Sequence, residues 1–207
     1  YEELLKYGVS PELYYNLGNS YYRINNITRA LINYERASML DPGNKDIRFN
    51  LQFVRNKTID KYADDNEMFF VTWYKTIVNI ASVDGWAKIS VISVIFALLL
   101  LLVYLFCENV NLRKVGFFGS LAFIGCFIFS LLFAYQQKYY FENRCGAIAI
   151  SPVVNVKKTP SVGNTDEFII HEGTKVYITD RGMRGWIGVR LSDGREGWIL
   201  KDQIEEI

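Results

Sequence analysis

Residues 11–44 read PELYYNLGNSYYRINNITRALINYERASMLDPGN, and this stretch decides the fold of the N-terminal part of the chain. Tyr14, Leu17, Gly18 and Tyr21 recur at the spacing of one helix face. Ala30, Tyr34 and Ala37 set a second helix, and Pro42 stops it because proline supplies no N–H and clashes with the preceding turn. Gly18 and Ala30 have almost no side chain, so two antiparallel helices can approach closely there. Tyr14, Leu17, Tyr21 and Tyr34 then fill the layer between them.

This order of residues resembles the tetratricopeptide repeat, whose signature runs aromatic, Leu-Gly, Tyr, Ala, aromatic, Ala and Pro over 34 residues. The resemblance implies a concave protein-binding groove with no chemistry of its own. Its groove positions fall on Glu12, Tyr15, Asn19, Tyr22 and Arg23. Asn19 is suited to a peptide backbone or a terminal carboxylate, Arg23 to bidentate capture of an acid, and the two tyrosines to interface contacts. Residues 46–61 predict a third helix with Ile47, Leu51 and Val54 on its apolar face, flanked by Phe49 and Phe53. Gln52 stands where the repeat has glycine, so this helix reads as a cap. Tyr1 to Lys6 read as the last turns of an earlier helix, stopped near Gly8 and Pro11, which implies further chain upstream.

The 207 residues carry 23 basic and 22 acidic side chains for a net charge of +1, so nucleic-acid binding has no electrostatic support. Half of the residues are hydrophobic, and the excess is concentrated. Trp86–Phe106 and Val115–Tyr135 are apolar runs separated by a short loop. Each spans about 30 Å as a helix, the thickness of a bilayer hydrocarbon core. Trp86, Tyr104, Tyr135, Tyr139 and Tyr140 stand at their ends, where interfacial aromatics belong. The expected structure is a two-helix transmembrane hairpin with both flanking parts on one side of the lipid bilayer. Arg113 and Lys114 favour a cytoplasmic loop, but Lys75, Lys88, Lys138 and Arg144 at the other end leave the charge count undecided. Small residues mark the expected packing faces: Ser90, Ser93 and Ala97 on the first helix, and Gly119, Ala122, Cys126, Ser130 and Ala134 on the second. Residues 62–67 read as a polar linker and 68–81 as an interfacial helix with Trp73 at headgroup depth.

From Ala147 onward the texture is β: Ala147–Ile150, Val153–Lys157, Phe168–Ile170, Lys175–Thr179, Trp186–Leu191 and Gly197–Leu200, with turn residues between them. Short, closely spaced strands predict a small barrel. Asn155-Val156-Lys157, Glu172-Gly173-Thr174-Lys175-Val176, Gly185-Trp186-Ile187 and Asp193-Gly194-Arg195-Glu196-Gly197-Trp198-Ile199 resemble a bacterial SH3-like domain. Tyr177, Trp186 and Trp198 are its candidate surface or core aromatics. The fold class is therefore a multi-domain membrane protein: an all-α repeat region (1–61), a linker and interfacial helix (62–85), a transmembrane helical hairpin (86–135), a second linker (136–146) and a small all-β barrel (147–207).

That order of parts is similar to the E-type Bat proteins of the Bacteroides aerotolerance operon. So is the wording of Pro11 to Tyr22, of Asp46-Ile47-Arg48-Phe49-Asn50-Leu51 and of Ser82 to Trp86. The resemblance implies an inner-membrane protein with its repeats and β domain in the periplasm. It also implies partners: membrane proteins with von Willebrand A domains, other Bat components and, indirectly, a MoxR-type AAA+ ATPase. The implied role is aerotolerance or envelope stress survival, including oxidative stress.

Chemistry has little footing in the sequence. Cys145 and His171 are the available thiol–imidazole pair, with no third orienting residue apparent. His171 reads as a surface turn residue, and Asp64-Asp65 and Glu205-Glu206 as solvated charges. Three scattered cysteines and a single histidine offer no metal site, and no cofactor is expected. The expectation is a non-enzymatic membrane-anchored adaptor, with a peptidoglycan-binding wall sensor as the alternative.

Overall fold

The structure, a computed structural model, describes residues 1–61, 69–142, 145–161 and 165–207. The residues read as a polar linker, with Asp64, Asp65 and Arg144 and the Tyr140 side chain, lie outside those described. The chain forms two compact units, Tyr1–Thr72 with Asn143–Ile207, and Trp73–Glu142.

In the first unit, helices α1 (Pro11–Arg23), α2 (Ile27–Leu40) and α3 (Lys45–Arg55) follow a 3-10 turn at Glu2–Lys6. Each helix has a side-chain cap that satisfies N–H groups the helix cannot pair itself: Ser10 for α1, Asn26 for α2 and Asn44 for α3. Asn26 and the left-handed Asn25 (φ 59°) together make the sharp α1–α2 turn. A Cβ on Gly18 would stand 2.7 Å from the Tyr34 ring, so the glycine is what lets that ring lie against α1. Burial drives the Tyr34 hydroxyl up to about 12, and it donates to Asn19 Oδ1 at 2.7 Å.

The β part of the same unit is one antiparallel sheet of seven strands in the order β3-β2-β6-β5-β4-β1-β7. The strands are β1 (Gly146–Ala149), β2 (Val153–Lys157), β3 (Asp166–His171), β4 (Lys175–Asp180), β5 (Trp186–Arg190), β6 (Glu196–Leu200) and β7 (Ile204–Glu206). Alternate residues such as Val154, Val156, Val189 and Ile199 point into its core. A Cβ on Gly197 would collide with the Val156 side chain, so that glycine permits the close crossing of β2 and β6. Strand β7, absent from the sequence reading, follows a 3-10 turn at Lys201–Gln203 and pairs with β1.

The repeat region and the β domain, drawn apart on the sequence, share a core. Leu31 and Ile32 of α2, and Leu51 and Val54 of α3, pack with Ile148 of β1 and with Ile207. A lone third helix leaves apolar surface that a second helix of its own would otherwise cover, and these strands cover it instead.

In the second unit, α5 (Val83–Phe106) and α6 (Val110–Glu142) form an antiparallel hairpin after the end of α4 (Phe69–Val78). Both are long and apolar enough to cross a membrane. The segment 136–146, read as a linker, is helical as far as Glu142, because no helix breaker occurs before Gly146. Gln137 on that extension donates to the carbonyls of Val78 (2.7 Å) and Ala81 (2.8 Å). The Trp86 indole N–H also donates to Val78 (2.8 Å), so the C-terminal end of α4 is satisfied by side chains.

Ser90, Ser93 and Ala97 are buried on α5. On α6, Ser130 is buried, Gly119 and Ala134 are half-buried and Ala122 is exposed. Cys126 is also exposed but lies 3.4 Å from Ser93 of α5, and a Cβ on Gly119 would stand 2.9 Å from Leu100. The contact line also includes Gly116 and Ser120. Gly116 is decisive, since a Cβ there would stand 2.7 Å from the Leu100 carbonyl oxygen and 2.8 Å from the Tyr104 nitrogen. Backbone cannot yield as a flexible side chain can, so Gly116→Val should separate the helices. Oxidative cross-linking of Ser93→Cys to Cys126, whose Oγ–Sγ distance is 3.4 Å in the parent, should then fall severalfold. Undiminished cross-linking would refute the close approach.

Candidate protein-binding face

The groove positions of α1 do not all remain free. Asn50 of α3 donates to the Tyr15 hydroxyl (3.0 Å) and to Asn19 Oδ1 (3.3 Å), while Tyr34 donates to the same Asn19 oxygen. Tyr15 and Asn19 thus form a hydrogen-bonded floor joining α1 to its neighbours. Glu12 and Arg23 are exposed, and Tyr22 is half-buried. Asn19→Ala would leave Tyr34 and Asn50 short of an acceptor, at a cost of about 1–3 kcal/mol, so a loss of binding in that variant would mix folding with recognition. Arg23→Glu lacks that complication.

Sequence reasoning kept Phe49 and Phe53 as flanking residues of a capping helix. In the structure they are 71% and 44% exposed, stacked on one another with ring centroids 6.4 Å apart. Phe53 also meets Tyr22 edge-on at 5.8 Å. The Lys57 ammonium lies 5.0 Å from the Tyr22 ring and 5.1 Å from the Phe53 ring, within cation–π range. The signal was present in the sequence: Phe49, Phe53 and Lys57 recur at helical intervals, the same spacing as Tyr15, Asn19 and Arg23.

On the β domain, strand register places Tyr177, Arg190, Trp186 and Trp198 on one face of β4, β5 and β6, with Tyr177 opposite Arg190 and Trp198 opposite Gly188. All three aromatics are half-buried, and Arg190 Nε pairs with Glu196 at 2.7 Å. They lie outside the buried core, which uses the alternate residues Ile178, Ile187, Val189 and Ile199.

His171 is not a free turn residue. Asp60, beyond α3, accepts from the His171 backbone N–H (2.7 Å) and the Thr174 hydroxyl (2.6 Å), and its other oxygen stands 3.0 Å from His171 Nδ1. Partial burial pushes the Asp60 carboxyl up, but the hydrogen bonds from Thr174 and His171 outweigh it and hold it below its ordinary range. A depressed carboxylate stabilises the fold above its unfolded pKa, and the gain disappears as pH falls through the folded value. Asp60→Asn should therefore flatten the acid limb of the stability–pH curve below about pH 4; an unchanged limb would show that Asp60 contributes nothing there. Cys145 does not join this cluster: its carbonyl accepts from Ile178, four residues beyond Thr174 along β4. Glu205 and Glu206 are likewise engaged rather than merely solvated, Glu205 by Arg29 (2.7 Å) and Arg36 (3.0 Å), and Glu206 by Arg181 (2.7 Å). Among the described residues no three His, Cys, Asp or Glu side chains could share a metal ion.

Three comparisons bear on these parts. Over 58 residues, 28% of the chain, the sequence is 36% identical to Rho guanine nucleotide exchange factor 5 of Mus musculus, and the match spans 4% of that protein's length. The chain is also similar to the C-terminal SH3 domain of myosin IB from Entamoeba histolytica. The peptide-bound structure of that domain matches at 28% identity and TM-score 0.19, over 28% of this chain and 93% of the other. A second structure of it matches at 27% identity and TM-score 0.19, over 28% of this chain and 97% of the other. Residues 11–44 match the tetratricopeptide repeat family.

Proposed function

We propose that this protein is a non-enzymatic membrane-anchored adaptor that binds protein partners through its repeat region and its β domain. The observation that carries the reading is the common core of those two parts. A recruitment helix pair and a β domain that share buried residues hold two binding faces at a fixed spacing, which suits a platform. The hairpin supplies the anchor: α5 and α6 expose most of their apolar side chains, and water does not tolerate a patch of that extent. Both flanking parts then stand on one side of the bilayer, in the periplasm by the Bat resemblance. The same resemblance names the partners: membrane proteins with von Willebrand A domains and other Bat components, with a MoxR-type ATPase reached through them.

Purification of the intact protein in mild detergent from its native membrane tests this. Stoichiometric recovery of von Willebrand A-domain proteins, reduced at least tenfold in Arg23→Glu, is the expected result. Recovery of the protein alone, or with peptidoglycan fragments, would overturn the adaptor reading and favour the wall-sensing one.

A further inference from the structure

The partner's chemistry can be narrowed from the α1–α3 face, given the adaptor reading. We infer that this face captures a segment of a partner protein that presents an aromatic or long aliphatic side chain beside acidic residues. Two features carry the inference.

The first is the pair of exposed rings. Phe49 and Phe53 already stack on each other, and Tyr22 closes one side, so an entering apolar side chain meets a preformed wall. Neither phenylalanine belongs to the buried core of the repeat, which uses Leu51 and Val54 of the same helix. Their exposure thus serves no packing purpose within the described residues.

The second is charge. Arg23 and Lys57 stand at the C-terminal ends of α1 and α3, and neither meets a carboxylate among the described residues. Glu12 and Asp46 at the N-terminal ends of the two helices are exposed, as is Lys45 one turn before Phe49, so that end carries both signs. Acidic side chains of a bound segment belong beside Arg23 and Lys57, where no carboxylate of the described residues competes.

The test is selection from a random twelve-residue peptide library displayed on phage. The target is the full chain in phospholipid nanodiscs, with counter-selection on empty nanodiscs. Enrichment of sequences pairing Phe, Trp or Leu with Asp or Glu is expected. The enriched peptide, made synthetically with an amidated C-terminus, should bind the full chain in nanodiscs. Phe49→Ser and Phe53→Ser should each weaken it at least tenfold, with helix content by circular dichroism unchanged. Lys57→Glu should reverse the preference, so that a Lys-substituted version of the peptide binds better than the acidic one. Selection of basic sequences, indifference to both Phe variants, or enrichment equal to that on empty nanodiscs would each overturn the inference. Peptide selection with no partner recovered from native membranes would leave this surface standing and remove the adaptor assembly, so the two readings fail separately.

Discussion

Glu35→Ala is expected to destabilise the unit formed by the repeat region and the β domain by about 3–5 kcal/mol, the usual result of removing one member of a buried ion cluster. Glu35 lies on α2 with 4% of its side chain exposed. It accepts from Arg55 Nε of α3 at 3.0 Å and from Lys175 Nζ of β4 at 2.8 Å. One carboxylate therefore joins three elements that are far apart in sequence. Burial pushes its carboxyl up, but the Lys175 ammonium and the Arg55 guanidinium outweigh burial and hold it below its ordinary range. Its stabilising effect is complete above the unfolded carboxylate pKa, about 4.3, and is lost as pH falls through the lower folded value. Alanine leaves Lys175, 19% exposed, without its counter-charge. Urea unfolding of the detergent-solubilised protein, followed by tryptophan fluorescence, measures the loss. The triple change Glu35→Leu, Arg55→Leu, Lys175→Met should recover much of it, because apolar side chains need no compensating charge. A loss below 1 kcal/mol for Glu35→Ala would mean that water reaches the cluster and that the ions do not hold the two parts together.

What made this cluster hard to read from the sequence is distance along the chain. Local patterns were legible: the Gly18–Tyr34 contact, the helix-stopping Pro42, two apolar runs and six of the seven strands all follow from spacing within a few tens of residues. Glu35 carried only a faint local signal, an acid placed among Leu31, Ile32 and Tyr34, and nothing near it pointed to Lys175. The same applies to Asp60 and His171. Strand β7 was missed because three residues after a 3-10 turn are too few to show alternation. On α6, Gly119 and Cys126 of the small-residue face do meet α5, but Gly116 and Ser120 were not singled out. Apolar residues surround that helix on all sides, so periodicity alone does not pick out Gly116, whose close contact is with the backbone of α5. In the groove, the α1 positions were legible from the repeat, but the hydrogen bonds that occupy Tyr15 and Asn19 come from Asn50, a residue whose role depends on how α3 docks.

The junction between the two parts also contains a position where backbone and packing act together, and substitution can separate them. Gly173 has φ +84°, and a Cβ there would stand 2.6 Å from Cγ2 of Thr58 and 3.7 Å from Leu31. Gly173→Ala should cost about 1–2 kcal/mol for the left-handed backbone and about 1–3 kcal/mol more for overpacking. Gly185 has φ +80° with nothing within 4 Å of its Cβ position, so Gly185→Ala should show the backbone part alone. Thr58 cannot be replaced freely, since its hydroxyl donates to the Arg55 (2.7 Å) and Asp60 (3.0 Å) carbonyls. Thr58→Ser keeps that hydroxyl and removes only the obstructing methyl. Combining it with Gly173→Ala should therefore restore the overpacking part, and bring the loss close to that of Gly185→Ala in the same urea titration. If Thr58→Ser restores nothing, the methyl is not in contact with residue 173, and the repeat region does not seat against the β3–β4 turn.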